Sequence, residues 1–396
     1  TMATPTTRLG GFSWCLYDWA NSAFPTVITT FVFSAYFTKA IAVDEIAGTS
    51  QWGWALSLSG LAVAVAAPLL GAIADHGGRR KSWIFAFTIL CAALTALLWN
   101  ARPDPSFVLM ALVLAGGANF AFEMAMVFYN AMLPDLTTPD RIGRLSGWGW
   151  GLGYAGGLAC LGLALVTLVE TETPVFGLDK ETSEHLRAMG PLVAIWMLVF
   201  AVPLFLWTPD RPPVATPPGQ AIRQGWSALV DTVTRVRDFR HVARYLIARM
   251  IYIDGLNTLF AFGGIYAAGT FGMDFSELII FGIAINVTAG LGAAGFAWVD
   301  DWIGPKRTIQ IAVVGLIVMG GALLVVEGKT MFWVFALPLG IFVGPAQAAS
   351  RSMMAHLAPE DMRTEMFGLY ALSGKATAFL GPALLAWVTV AFESQR

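Results

Sequence analysis

Residues 71–81 read GAIADHGGRRK and residues 301–307 read DWIGPKR, two copies of the pattern D-x-x-G-x-[RK]-[RK]. Asp75, Gly78, Arg80 and Lys81 fill it in the first copy, and Asp301, Gly304, Lys306 and Arg307 in the second. Each copy is a short charged break between two long apolar runs. A second pair of matches stands upstream of each: Asp18, Asn21, Ser22 and Phe24, then Asp254, Asn257, Thr258 and Phe260, both reading D-x-x-N-[ST]-x-F. A third pair follows downstream, where Leu136, Asp140 and Gly147 match Leu357, Asp361 and Gly368 at a constant offset. Three pairs in the same order read as an internal duplication. In a chain built of apolar runs, that predicts two parallel halves of six spans each, related by an axis along the membrane normal.

Composition places those runs in lipid. Of 396 residues 57% are apolar and 13% charged, with a mean hydropathy of +0.66. A single globular core stops growing at roughly 250–300 residues, so this much apolar surface has to face lipid. Spans are predicted over 12–37, 52–74, 83–101, 107–132, 145–169, 191–207, 242–268, 278–299, 308–326, 331–354 and 366–392. No span alternates with the period of a barrel strand, so the backbone is expected to satisfy itself as helices. The fold class is therefore an all-α polytopic membrane protein of two pseudo-symmetric six-helix bundles. Eleven spans are visible, and the second half is one short. The twelfth is expected to be missing from the sequence given, which also begins with Thr1 ahead of Met2. An N-terminal bundle covers 1–207. A linker with five prolines between Trp207 and Gly219 follows, then an amphipathic helix with Ile222, Trp226, Leu229, Val233 and Val236 at helical spacing. These make up a cytoplasmic connector over 208–241, read as lying at the headgroups or as a solvated linker helix. The C-terminal bundle occupies 242–396.

Positive charge orients the bundle. With the N-terminus cytoplasmic, inner segments carry sixteen Lys and Arg and outer segments six, as the positive-inside rule requires. Net charge is near neutral, so nucleic acid is not an expected partner. Cys15, Cys91 and Cys160 lie in apolar runs and read as packing residues. His76, His185, His241 and His356 fall in loops or at helix ends with no metal-ligand spacing.

The run from Gly71 to Lys81 resembles the signature loop between the second and third helices of the major facilitator superfamily, and the copy at Asp301–Arg307 repeats it. LYDWANSAF, from Leu16 to Phe24, and GKATAFLGP, from Gly374 to Pro382, are similar to the branch that includes the autophagy-related vacuolar amino-acid effluxer and its bacterial relatives. The resemblance covers essentially the whole chain. It implies a secondary transporter and, through the distant relatives, amino acids as solutes; the bacterial relatives imply a bacterial inner membrane. The glycine-proline motif that many antiporters carry in the fifth helix is incomplete, since Gly147, Gly149, Gly151, Gly153, Gly156 and Gly157 are present without a proline.

Charges inside spans cost at least a few kcal/mol each unless they are paired or face water. Asp18, Glu123, Arg249, Asp254 and Lys375 are such charges, each about 9 to 18 Å from the cytoplasmic end of its span at helical rise. They are expected to form one layer bordering a central cavity. Asn21 and Asn257 share helix faces with Asp18 and Asp254, Asn119 shares one with Glu123, and Tyr17, Tyr252 and Gln347 add hydrogen-bonding edges. A pocket of mixed charge suits a zwitterion. The alternative is that Asp254 pairs permanently with Lys375 or Arg249 and that Asp18 closes a gate. Glu123, with no repeat partner to neutralise it, is the candidate for proton coupling. Gly71, Asp75, Gly78, Arg79, Arg80, Lys81, Asp301, Gly304, Lys306 and Arg307 are read as a conformational gate, with Asp75 capping a helix or pairing with Arg79 and Arg80. The function expected is alternating-access transport of a small polar or zwitterionic solute by a monomer in the bilayer, with no cofactor and no resident metal. A receptor or scaffold without transport, or a membrane-embedded enzyme, are the rival classes; no nucleophile-base pair or metal constellation lies within the spans to support the latter.

Overall fold

The computed structural model describes residues 6–212, 218–234 and 238–378. Among these there is no strand, and the chain runs as long helices. The first half comprises α1 (Arg8–Ile41), α2 (Glu45–Gly77), α3 (Lys81–Asn100), α4 (Pro105–Leu136), α5 (Pro139–Val169) and α6 (Glu184–Trp207). The connector helix α7 (Pro218–Thr234) follows. The second half comprises α8 (Arg240–Phe271), α9 (Phe275–Ile303), α10 (Pro305–Val325), α11 (Lys329–Leu357) and α12 (Arg363–Lys375). Among the described residues, nine helices are long and apolar enough to cross a membrane. Helix α8 is 32 residues long but is not one of the nine, because Arg244, Arg249 and Asp254 interrupt its apolar run. The predicted span over 366–392 extends past the described residues, and so does part of GKATAFLGP.

Helix ends follow local chemistry. The Asp44 side chain accepts the Ala47 amide at 2.8 Å to start α2, and Asp274 with Glu277 forms a capping box at the start of α9. Gly78 and Gly304, the glycines of the duplicated loop, take φ of +83° and +86°. That backbone is open to glycine and strained for other residues, which accounts for the fixed Gly in both copies. Lipid-facing stripes are plain on the outer helices: Leu58, Leu61 and Val65 on α2, and Val199, Val202 and Leu206 on α6, are all exposed at helical spacing. Helix α7 seats Gly225 against the backbone of Ile73 on α2 and leaves Ile222, Trp226 and Val230 exposed, the outward apolar face expected of a helix at an interface.

Packing distinguishes the two ends of the bundle. At the end where α1 starts and α2 stops, one apolar core joins both halves, with Trp14, Val63, Ala67, Phe128 and Leu133 from the first and Met354, Ala355, Met366 and Phe367 from the second. Toward the other end each half has a core of its own. One is built on Phe24, Phe33, Phe37, Trp52 and Leu98, the other on Leu256, Phe271, Phe332 and Leu339. The halves thus share one core at one end, here called the basic end after its Arg and Lys residues, and have separate cores at the other, where Phe31 of α1 still meets Gly282 of α9.

The third sequence repeat explains how they seal. A Cβ on Gly368 of α12 would fall 2.7 Å from Pro68 Cα and overlap the Ala67 carbonyl of α2, and a Cβ on Gly147 of α5 would fall 2.5 Å from Ala297 Cβ and 2.6 Å from the Ala293 carbonyl oxygen of α9. Both glycines therefore perform the same service, letting a helix of one half lie directly on the backbone of the other. Gly368→Val is expected to cost about 1–3 kcal/mol through overpacking and to lower the thermal midpoint in detergent. Gly162→Ala, on α5 with nothing within 4 Å of the new Cβ, serves as the neutral control.

Candidate functional site

Two constellations hold the charged residues, the first at the basic end. Asp75, in the last turn of α2, accepts the Thr364 and Glu365 amides of α12 at 3.1 and 2.9 Å and the Thr364 hydroxyl at 2.5 Å. The first amides of a helix have no partner within it and carry partial positive charge, so a carboxylate there satisfies and neutralises them together. Gly71, one turn earlier, leaves no room for a Cβ beside the Thr364 carbonyl. Arg80 is buried and donates to the Thr364 hydroxyl at 2.8 Å and to Asp135 at 2.5 Å, with a guanidinium nitrogen 3.5 Å from Asp75. Asp135 also receives Arg211 at 2.9 Å and Arg363 of the second half. Lys81 donates to the Thr208 carbonyl at 2.6 Å, and Asp210 accepts the Arg80 and Lys81 amides.

The second copy repeats the central feature. Asp301, at the end of α9, accepts the Arg144 amide in the first turn of the α-helical part of α5 at 3.0 Å and faces the Arg144 guanidinium at 3.2 Å. Each half thus caps a helix of the other with the Asp of its own signature loop. Not every loop residue takes part: Arg79, Lys306 and Arg307 are exposed to solvent. The expected pairing of Asp75 with Arg79 does not form, because the turn at Gly78 directs Arg79 outward and Arg80 inward.

Within the bundle the intramembrane charges divide into separate groups instead of one layer. Asp18 on α1 meets Arg351 on α11 at 2.9 Å, with their side chains 5% and 1% exposed. Arg351 also donates to Asn130 at 3.2 Å, to the Ser146 hydroxyl at 3.0 Å and to the Ser146 carbonyl at 2.7 Å. Its guanidinium lies 4.8 Å from the Trp14 ring, which stacks on Tyr129 at 4.4 Å. Asp18 is therefore sealed inside the closed end and does not project with Asp254 into a shared space. Tyr17 and Asn21 are buried with it, Tyr17 sharing a hydrogen bond with Thr88 at 2.6 Å and Asn21 donating to the Met126 sulfur at 3.0 Å.

Further in, Lys375 on α12 donates to Glu123 on α4 at 2.7 Å, and the two side chains are 31% and 23% exposed. Glu123 therefore has a neutralising partner, contrary to the sequence expectation, because Lys375 has no charged counterpart in the first half: the duplication offset puts Tyr154 there. Lys375 passes Gly60 of α2 on its way, and Asn119, one turn from Glu123, donates to Ser59 at 2.9 Å. Asn257 and Asp254 lie half-buried on α8. Arg249 is buried: it donates to the Tyr370 carbonyl and to Ser373 at 2.8 and 2.7 Å and packs 3.6 Å over the Tyr370 ring. Tyr252 shares a 2.6 Å hydrogen bond with Ser350, and Gln347 accepts the Tyr154 hydroxyl of α5 at 2.6 Å across the halves.

Residues 38–396 match the family described as "Vacuole effluxer Atg22 like". The chain belongs to that family, within the major facilitator transporters. It is 30% identical to the MFS-type transporter YxiO of Bacillus subtilis (strain 168), over 94% of this chain and 87% of that one. It is 25% identical to autophagy-related protein 22 of Coccidioides immitis (strain RS), over 87% of this chain and 68% of that one. The fold is similar to the major facilitator transporter FucP solved in its outward conformation, with a TM-score of 0.74 at 14% identity over 98% of this chain and 92% of that one.

In this Atg22-like transporter the residues that sequence reasoning passed over are mostly partners. Arg351 sits in the last two turns of α11 and counts as a positive loop charge until Asp18 is seen opposite it. Asn130, Ser146, Asp135, Asp210, Arg211 and Arg363 likewise gain meaning only from what faces them. Removing one member of a buried pair strands the other, at a cost of about 3–5 kcal/mol. Arg351→Met is therefore expected to destabilise the transporter severely, and the double variant Asp18→Leu, Arg351→Met to recover much of that loss in thermal unfolding. Asp75→Asn removes the charge from the α12 amides and is expected to raise the labelling rate of Thr364→Cys by a hydrophilic thiol reagent; an unchanged rate would count against Asp75 as the latch.

Proposed function

We propose that this transporter carries a small zwitterionic solute, amino acids being the leading class, by alternating access, and that the Glu123–Lys375 pair is its binding site. The observation that carries the reading is that a carboxylate and an ammonium from different halves stand 2.7 Å apart, both partly open to water, well inside the bundle. Glu123 is roughly 20 Å from the end of α4 at helical rise. A solute with its own ammonium and carboxylate can insert between the two, presenting the ammonium to Glu123 and the carboxylate to Lys375. One ion pair becomes two, which an uncharged sugar cannot achieve. Ser59 and Asn119 on one wall, and Asn257 and Tyr252 on the other, supply the hydrogen bonds a solute needs as it sheds water.

The capped helices describe the resting state of the cycle. Asp75 on α12 and Asp301 on α5 hold the basic end shut, while at the other end the halves have separate cores and meet through fewer contacts, such as Phe31 with Gly282. By the positive-inside rule the basic end is cytoplasmic, so the solute site is reached from the opposite side of a bacterial inner membrane. Rocking the halves breaks the caps and opens the basic end. The protein works as a monomer, since both halves of the site lie in one chain.

The test is counterflow of labelled amino acids, sugars and organic cations in proteoliposomes. Glu123→Gln and Lys375→Gln are each expected to weaken apparent affinity for a zwitterion about 10- to 100-fold, the worth of a charge-assisted contact. Saturable flux confined to sugars, or full amino-acid affinity in both variants, would remove the assignment.

A further inference from the structure

The residue before the second latch, Asp300, has no counterpart in the first: where Asp300 and Asp301 stand on α9, α2 has Ala74 and Asp75. Asp300 is 3% exposed, and among the described residues neither carboxylate oxygen has a hydrogen-bond partner. The buried hydroxyl of Ser352 beside it is also without one. The walls around it are Gly143 and Gly147 of α5, Thr308 of α10, and Pro345 and Ala348 of α11. The space they leave does not admit a water molecule. Gly143 is pressed so close that a Cβ there would lie 2.6 Å from the Asp300 side chain.

The charged groups around it offer no compensation. From α9 itself, Asp301 adds a like charge. From α5, Arg144 is spent on Asp301. From α11, Arg351 is held by Asp18, Asn130 and Ser146; the group α10 presents is the neutral hydroxyl of Thr308, which donates to the Gly304 carbonyl at 3.1 Å. An ionised carboxylate in this position would lose its hydration with at most the Ser352 hydroxyl in exchange, next to a second carboxylate, Asp301. A protonated carboxyl, in contrast, carries a donor that the Ser352 oxygen can accept. A metal ion needs several ligands and room that the dry contact does not provide.

We infer that Asp300 is a proton-binding site of the transport cycle, occupied when the basic end is closed and emptied into the basic-end compartment when α5 and α9 separate. The inference rests on the alternating-access reading, and moves proton coupling from Glu123, which Lys375 already neutralises, to the contact between the halves. Its logic is linkage: the closed state binds one proton that the open, hydrated state releases near neutral pH, so acid favours closure and alkali favours opening.

Arg141 and Lys306, exposed on either side of this contact, are sites for spin labels through Arg141→Cys and Lys306→Cys, with the three native cysteines buried. Distance measurements on the full chain in lipid nanodiscs read the closed and open populations without a solute. Between about pH 5 and about pH 8 the wild-type closed-to-open ratio is expected to fall by up to about tenfold per pH unit. Asp300→Asn, isosteric and permanently neutral, is expected to stay closed with no pH response, and Asp300→Ser to lose the response as well if the amide packs poorly. Asp301→Asn is expected to lower the closed fraction while keeping the pH slope. A slope retained in both Asp300 variants, a wild-type ratio indifferent to pH, or a ratio that follows sodium at fixed pH would each overturn the assignment. Absence of flux for every solute class in liposomes, with the pH response intact, would instead remove the transport reading and leave the proton site standing.

Discussion

What holds this molecule in its observed state is a carboxylate of one half resting on the first amides of a helix in the other. Asp75 sits on α12 and Asp301 on α5. The interaction is strong because both parties are otherwise unsatisfied: the amides have no partners within their helices, and each carboxylate is largely withdrawn from water. It is also reversible, because separation exposes both parties to water and leaves no charge stranded in lipid. An apolar seam of the same area would hold equally well but would have to expose its surface on every opening. The glycines at 147 and 368 bring the backbones close enough for the caps to reach, so packing and electrostatics act as one device.

The two intramembrane ion pairs differ in a way that separates their roles. Asp18 and Arg351 are sealed, and every polar contact that Arg351 makes is to protein. A solute would have to break four hydrogen bonds and displace the packed Trp14 and Tyr129 to enter there. Among the described residues Glu123 and Lys375 have one polar contact each, with each other, and both side chains are partly exposed. Competition by a charged solute costs far less at the second pair than at the first. The first therefore suits a fastening between the halves at the closed end, and the second suits the solute site proposed above.

The fold was legible in the sequence because lipid imposes a simple rule: apolar runs of span length, interrupted by charge at regular intervals. The duplicated loop was legible for a related reason, since a Gly at positive φ and an Asp at a helix terminus need fixed spacing whatever surrounds them. Contacts across the halves were not. Arg351 and Asp18 are separated by 333 positions, and Lys375 and Glu123 by 252, with no periodicity that links them. Arg351 lies near enough to the end of its helix to pass for a loop cation. Glu123 appeared unneutralised because symmetry was the guide to partners, and Lys375 has none in the first half. Symmetry in sequence therefore pointed to the contacts that both copies make and not to those that only one copy makes.

That departure makes the interlock unequal. The first copy is buttressed: Arg80 bridges Thr364 and Asp135, and Asp135 gathers Arg211 and Arg363 around it. At the corresponding places in the second copy the duplication offset puts Lys306, which is exposed, and His356, whose ring nitrogen meets the Pro139 carbonyl at 3.1 Å. The Asp301 latch is met by one arginine, Arg144 of α5, and next to it stands Asp300, without a hydrogen-bond partner among the described residues. Opening the α2–α12 contact disrupts a network in which several charges lose partners together, whereas opening the α5–α9 contact releases a single ion pair and hydrates a carboxyl that gains from water. In the proposed rocking of the halves as rigid bundles, the free energy of opening is set by the sum of both contacts, but its sensitivity to conditions resides in the weaker one. A rocking motion that hinges near α2 and α12 and parts first between α5 and α9 follows from that inequality.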